Sequence, residues 1–346
     1  MDSGLPGPEH FDVVEEDVTP LSSPGSVTLS IKAFSADPYL RGQIKSTGSI
    51  KGGAKMSGFV VGEVVLSNGN AAWPVGSLFG ASLPFSTVQT YDASDLAGKL
   101  IWNLTDKVTA ETLTWGLGVL GMPGATAYGG LYDVLRPVVA VVDSSSDKKK
   151  EREVIFVSAA SGAVGSLVGM LAKKVFGCVV IGSCGGPEKC KVLIEKFSFD
   201  HAIDYKDPDN AGKEGLVRAL KGIAPGGINM YFENVGGEHF DAAFEVLANG
   251  GRIAVCGGIS EYNNASVVGN VINPMKMIYT AQRIEGFVCM PWLTGKKGDF
   301  LNTMHALLQK GDLVVQETET VGIENWALAF QSLFTGANLG KVVVRV

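Results

Sequence analysis

The chain has 346 residues with 29 Lys+Arg against 35 Asp+Glu, a formal net charge of -6 and a sequence pI near 5.4. That balance argues against nucleic acid or an anionic membrane as a partner, because neutralising phosphates takes clustered Lys and Arg. Hydrophobic content of 46%, charged content of 18% and Gly 45 without a repeat fit an α/β enzyme of about two domains with many tight turns. The 5 cysteines, Cys178, Cys184, Cys190, Cys256 and Cys289, include no C-x-x-C pair, so reduced thiols are expected. The opening Met1-Asp-Ser-Gly-Leu-Pro-Gly-Pro-Glu has neither the basic nor the apolar region of a secretion signal, which makes a cytoplasmic location the expectation.

From residue 10 to 110 the chain alternates apolar and polar residues between Gly and Pro turns, as in Val27-Thr-Leu-Ser-Ile-Lys32 and Gly58-Phe-Val-Val-Gly-Glu-Val-Val65. This predicts a small β-rich barrel or sandwich. A helix is expected over Ala127–Arg136, followed by a charged loop at 143–153 that includes Lys148-Lys-Lys150. Strands are then expected at Val154–Val157, Cys178–Ile181, His201–Ile203, Met230–Glu233 and Arg252–Cys256, with helical patterns between them. That alternation predicts parallel strands joined by crossover helices, a doubly wound sheet. Helices are predicted at Leu301–Gln309 and Trp326–Phe334, and Lys341-Val-Val-Val-Arg345 reads as a strand returning to the first domain. The parallel (Rossmann) domain, 126–289, is thus expected as an insertion into a β-rich domain of 1–125 and 290–346.

The stretch from Val154 to Ala172 carries the most chemistry. A β-branched apolar run leads into small residues from Ser158 to Gly165, and Leu167, Leu171 and Val175 follow at helical spacing. Small residues let the N–H groups of a helix start come close to a pyrophosphate, and the helix dipole favours its charge. The spacing Ala159-x-x-Gly162-x-x-Gly165 has Ala at the first Gly position, so a tightly packed strand–helix corner is the bland alternative. The run is uncharged and about long enough to span a bilayer, but its glycines, serines and central turn make it poor lipid-facing material. A domain that prefers NAD usually has an acid at the end of its second strand, to bind the ribose 2′-hydroxyl. Here that place is Gly182-Ser183, without a carboxylate, and Lys189 and Lys191 follow. The missing acid favours NADP, although a lone Lys189 reads more readily as an ordinary exposed helix lysine.

Asp37-Pro-Tyr-Leu-Arg41, Gly121-Met-Pro-Gly-Ala-Thr-Ala-Tyr128, Ala160-Ser-Gly-Ala-Val-Gly165, Glu233-Asn-Val-Gly-Gly237, Cys256-Gly-Gly-Ile-Ser-Glu-Tyr-Asn263 and Asn338-Leu-Gly-Lys341 occur in that order. Together they resemble the leukotriene B4 dehydrogenase/prostaglandin reductase and plant alkenal double-bond reductase group of the medium-chain dehydrogenase/reductase superfamily, across nearly the whole chain. The resemblance implies a GroES-like barrel carrying the Rossmann insertion. It also implies a homodimer and NADP(H)-dependent reduction of the carbon–carbon double bond of enals and enones. Carried over to matching positions, Gly162, Ala163, Val164 and Gly165 would hold the pyrophosphate, and Lys189 and Tyr205 the 2′-phosphate. Asn234, Cys256, Gly257, Gly258, Ile259, Ser260, Phe287, Val288, Cys289 and Asn338 would line the rest of the cofactor, with Met122 and Thr126 near the nicotinamide.

Zinc enzymes of the superfamily carry a G-H-E-x-x-G-x-V segment. This chain reads Gly58-Phe59-Val60-Val61-Gly62-Glu63-Val64, and its four histidines, His10, His201, His239 and His305, show no grouping, so no metal is expected. His201 and His239 read as surface or strand-end residues. Without a Lewis acid, a hydrogen-bond donor must steady the enolate oxygen, and Tyr262 is the candidate, matching the family's tyrosine. The plain alternative is an aromatic that only packs against nicotinamide. Tyr39 is a weaker candidate for the substrate wall. Relatives begin with one more strand and carry a proline-rich loop after the tyrosine, where this chain has residues 264–274. A quinone reductase on the same fold, or an NADPH-binding protein without turnover, remains as an alternative.

Overall fold

The computed structural model describes residues 3–139, 152–264 and 272–346. The chain forms two compact units, Met1–Met122 with Val315–Val346, and Pro123–Val314. The charged loop expected at 143–153 falls almost entirely outside the described residues, as does most of the 264–274 loop.

Alternating sequence in the first unit yields β1 (Val27–Ser35), β2 (Ser57–Ser67), β3 (Leu78–Pro84), β4 (Val88–Tyr91) and β5 (Leu100–Asn103). Two later strands, which we number β12 (Glu317–Val321) and β13 (Lys341–Arg345), complete it. The sheet order is β12-β13-β1-β2-β3-β5, with β4 also on β1. The returning strand expected at the end of the sequence is therefore present, antiparallel to β1 with Phe34 opposite Val344. Phe34, Phe79, Leu83, Phe330 and Val342 form the core, and the helix Trp326–Thr335 closes it, the Trp326 indole donating to the Ser35 carbonyl at 3.0 Å. A buried ion pair, Lys341 Nζ to Asp37 Oδ1 at 3.0 Å, ties the start of β13 to the turn after β1. Removing one member of such a pair typically costs about 3–5 kcal/mol, because the other charge is left buried. Among the described residues before β1 there is a 3-10 turn, Pro8–His10, and no strand.

The second unit holds β6 (Val154–Val157), β7 (Val179–Cys184), β8 (His201–Asp204), β9 (Ile228–Glu233), β10 (Leu247–Val255) and β11 (Arg283–Gly286). Their order, β8-β7-β6-β9-β10-β11, is parallel throughout. The five strands expected there all form, and β11 adds an edge that the short run Arg283-Ile-Glu-Gly286 hardly announces. Helices Ala163–Lys174, Pro187–Glu195, Gly212–Ile223 and Gly237–Val246 make the crossovers. Phe156, Ile181, Ile203, Leu220, Tyr231, Phe240 and Ile253 pack into one core. Strand order reverses between β6 and β9, the switch point at whose carboxyl end ligands bind in open α/β sheets.

Two boundaries differ from the sequence reading. Residues 290–314, expected with the barrel, group with the parallel sheet, since Trp292 meets Phe287 at 5.9 Å and Phe300 meets Tyr128 at 6.1 Å between ring centres. The helix expected over Ala127–Arg136 starts at Met122 and widens into a π turn from Gly130 to Leu135. Within it, a Cβ on Gly129 would lie 2.3 Å from the Trp292 ring, so only glycine lets that indole pack there.

Candidate cofactor and active site

At the end of β6 the backbone turns sharply into the helix Ala163–Lys174. Ala159 has φ +47, so the alanine in the first Gly position adopts the left-handed conformation glycine would take easily. Gly162 is the N-cap, extended and without a capping side chain. The helix start at Ala163, Val164 and Gly165 is therefore not covered by a side-chain acceptor, as an anion site requires. Gly165 is a packing necessity, because a Cβ there would lie 2.4 Å from the Ala159 carbonyl oxygen. The corner is tightly packed, and it presents a helix start without a side-chain cap.

A buried polar network joins β6 to β9 at the switch point. Ser158 Oγ accepts from the Tyr231 hydroxyl at 3.0 Å and from the Asn234 N–H at 2.9 Å, and donates to Glu233 Oε1 at 3.0 Å. Asn234 Nδ2 donates to the Ser158 carbonyl at 2.8 Å. Burial lifts the Glu233 carboxyl above the usual range, against N–H donors from Gly236 and Val235. Ser158 and Glu233 were not among the site residues read from the sequence, although Glu233 opens one of the matching blocks and ends the apolar run Met230-Tyr-Phe-Glu233.

The segment after β10 is laced to this network. Cys256 N–H donates to the Glu233 carbonyl at 3.0 Å, Ile259 N–H to Asn234 at 3.1 Å, and Ser260 Oγ to Val235 at 2.6 Å. Asn234, Cys256, Gly257, Gly258, Ile259 and Ser260 are thereby brought together. The Tyr262 hydroxyl sits over this glycine pair and accepts from the Gly258 N–H at 3.3 Å. A Cβ on Gly257 would approach the hydroxyl to 3.0 Å. Burial raises the phenol above its ordinary value despite the Gly258 N–H, so it stays protonated at neutral pH. Phe287 continues the wall, its N–H on the Val255 carbonyl at 3.4 Å and its ring on Phe232 at 6.0 Å. Val288 is exposed and Cys289 half-buried beside it.

At the end of β7 no acid is present, and the strand closes on Ser183-Cys184. The buried Ser183 Oγ has no hydrogen-bond partner within the protein. A Cβ on Gly185 would lie 2.8 Å from Lys206 Cε and 3.0 Å from the Tyr205 hydroxyl, so both side chains lean over this turn. Lys189 is half-buried; desolvation, and then the neighbouring Lys206 charge, hold its ammonium below the usual value. Two cations and a phenol beside one turn suit a phosphate. Lys206 carried no signal in the sequence beyond following Tyr205. The Tyr205 ring packs on His239 at 5.2 Å, and this corrects the reading of His239 as a surface or strand-end residue. It is buried in the helix Gly237–Val246, with its imidazole pushed down to about 4 by burial.

Thr126 belongs to the second unit and is buried in the helix Met122–Gly129. Met122 closes the first unit's opening segment. Tyr39 and Asn338 also belong to the first unit: Tyr39 packs on the barrel core with its ring 6.3 Å from Phe59, and Asn338 Nδ2 donates to the Gly340 carbonyl at 3.4 Å.

The segment 163–310 matches the family model described as zinc-binding dehydrogenase, and 2–98 the model described as the N-terminal domain of oxidoreductase. The residues present do not fit zinc: Phe59 and Val60 are buried apolar residues of β2, and no group of three or more His, Cys, Asp or Glu converges among the described residues. Prostaglandin reductase 1 of Mus musculus is 35% identical over 342 residues, covering 99% of this chain and 95% of its own. The NADP(+)-dependent 2-alkenal reductase of Nicotiana tabacum is 36% identical, covering 90% of this chain and 85% of its own. Among solved structures, CurA from Vibrio vulnificus in complex with NADPH superimposes with a TM-score of 0.82 at 33% identity, over 99% of this chain and 96% of that one. Kinship at this level over the full length, on a parallel sheet inserted into a β-rich unit, makes the chain a member of the prostaglandin reductase and alkenal reductase group of the medium-chain dehydrogenase/reductase superfamily.

Proposed function

We propose that the chain uses NADPH to reduce the carbon–carbon double bond of α,β-unsaturated aldehydes and ketones. The observation that carries this reading is the Tyr262 phenol, protonated and anchored through its oxygen by the Gly258 N–H, which leaves its own proton to donate. Support for the cofactor comes from the uncapped helix start at Gly162 and the basic turn of Lys189, Tyr205 and Lys206. The names of the tobacco and Vibrio relatives supply NADP and NADPH.

NADPH, when bound, would supply a hydride to the β-carbon of the substrate, with a proton from solvent at the α-carbon completing the reduction. The electron pair of the double bond then moves toward the carbonyl, and negative charge gathers on its oxygen. Tyr262 donates a hydrogen bond to that oxygen; burial keeps the phenol protonated at neutral pH, as a donor must be. Glu233 and Ser158 hold Asn234 and the backbone at 256–260, and through them the phenol, in place. Tyr39 is the proposed substrate-facing aromatic of the first unit.

NADPH oxidation followed by stopped flow with a panel of enals, enones and quinones tests the reading. Enals and enones should turn over fastest; preference for quinones would replace this proposal with quinone reduction, and a thermal shift with NADPH without any turnover would leave a binding protein. Tyr262→Phe should lower enone kcat by about 10²-fold, the usual loss for one oxyanion donor. An unchanged kcat in a folded, NADPH-binding variant removes the assigned role.

A further inference from the structure

We propose that Cys184 and Cys190 form a reversible disulfide whose closure weakens the hold of the second unit on the adenosine phosphate of the cofactor. Cys184 is the last residue of β7, and Cys190 lies in the helix Pro187–Glu195 that follows. The turn between them is Gly185-Gly186, with Gly186 at φ +99, a conformation that folds the helix directly back over the strand end. Asp204 Oδ1 pins this turn by accepting from the Gly186 N–H at 2.8 Å. The two sulfurs lie 3.4 Å apart, already in contact. A disulfide needs about 2.05 Å, which side-chain rotation over a glycine pair can supply.

Access divides the roles. Cys184 is 2% exposed, whereas Cys190 is half-buried, so an oxidant meets Cys190 first. With hydrogen peroxide as oxidant, the Cys190 sulfur attacks one peroxide oxygen, the O–O bond breaks, and sulfenic acid and one water result. The Cys184 sulfur then attacks the Cys190 sulfur, the S–O bond breaks, and a second water leaves with the Cys184 proton. Two thiols are oxidised by two electrons and one peroxide is reduced to two waters. Burial lifts both thiols above the ordinary range, so the reaction is slow and a short exposure spares the protein.

The consequence follows from sequence adjacency. Lys189 immediately precedes Cys190, and drawing Cys190 onto the strand end turns the helix start that carries the Lys189 ammonium. This coupling rests on the reading of Lys189 and Tyr205 as the 2′-phosphate site. The disulfide itself does not.

The test treats the purified full chain with hydrogen peroxide, with and without saturating NADPH. It then alkylates the free thiols, maps crosslinks by mass spectrometry, and measures NADPH affinity by fluorescence titration. A Cys184–Cys190 crosslink that dithiothreitol reverses, that NADPH retards, and that raises the NADPH Kd at least about fivefold is the expected result. Cys190→Ser and, as an independent variant, Cys184→Ala should bind NADPH normally and lose the peroxide effect. Both cysteines recovered alkylated after peroxide would overturn the proposal, as would the same rise in Kd in Cys190→Ser. A crosslink without change in Kd would overturn the coupling. In reduced protein, Lys189→Ala reports separately on the phosphate-site reading: normal NADPH affinity there would sink that reading and leave the sulfur chemistry to the crosslink map.

Discussion

Gly165→Ala and Gly162→Ala separate what the helix start does for folding from what it does for the cofactor. A Cβ on Gly165 would stand 2.4 Å from the Ala159 carbonyl oxygen, 2.8 Å from Ala160 Cα and 3.0 Å from the Ala159 carbonyl carbon, all of them backbone atoms. Contact at about 3.2 Å would require the turn and the helix to part by about 0.8 Å, and overpacking of this kind costs about 1–3 kcal/mol. For a unit of this size that lowers Tm by roughly 2–12 °C. Gly162 differs: its φ is -85, open to any residue, and a Cβ would meet only the Ala159 carbonyl oxygen at 3.2 Å. Gly162→Ala should therefore keep Tm within about 2 °C, yet raise the NADPH Kd at least about tenfold by placing a methyl group where a phosphate must approach. Calorimetry and fluorescence titration of both variants give the readout. A Gly165→Ala protein as stable as the parent, or a Gly162→Ala protein with unaltered NADPH affinity, would refute the reasoning for that residue.

Lys189→Ala should raise the NADPH Kd about tenfold while leaving NADH binding alone, so the ratio of the two constants is the measurement and an unchanged ratio removes the basis for NADP preference. His239 gives a pH effect of definite sign. Its imidazole sits near 4 when buried against an ordinary 6.5, so between those values the unfolded chain takes up a proton that the native chain refuses. Stability is fully present above pH 6.5 and falls toward pH 4, by about 3 kcal/mol at ~1.4 kcal/mol per tenfold difference in proton affinity. Urea melts at pH 7 and pH 5 should show about 2 kcal/mol of this loss in the parent and a smaller one in His239→Leu; parallel losses would show that His239 is not the group responsible.

Much of the architecture was legible because the relevant signals are local. Val154–Val157 and Lys341–Arg345 are strands at the expected bounds, since β-branched runs between turn residues leave little choice of structure. Ala159 was visible as a departure from the glycine pattern, and its left-handed backbone shows that the departure lies in the residue and not in the turn. What the sequence concealed depends on partners remote along the chain. Residues 290–314 join the second unit because Trp292 and Phe300 find Phe287 and Tyr128, contacts no period in the sequence announces. Ser158 reads as a small turn residue until Tyr231, Glu233 and Asn234 are seen to converge on it. His239 looked like a surface residue because its burial depends on Tyr205, from a different crossover. Lys206 matters only beside Gly185 and Lys189, which are brought to it by the pairing of β7 with β8.

The position of β13 constrains the order in which a nascent chain can fold. β13 lies between β12 and β1, yet it follows the whole second unit in sequence, with Ala33 waiting for Arg345. At about 5–20 residues per second, roughly 15–60 s of translation separate the two strands. The parallel sheet can therefore close while the barrel's central seam is still open. Until β13 arrives, β4 covers Val27–Ser30 but the Ala33–Ser35 end of β1 is an unpaired edge on the ribosome, and the Asp37 carboxylate that will meet Lys341 stays in water.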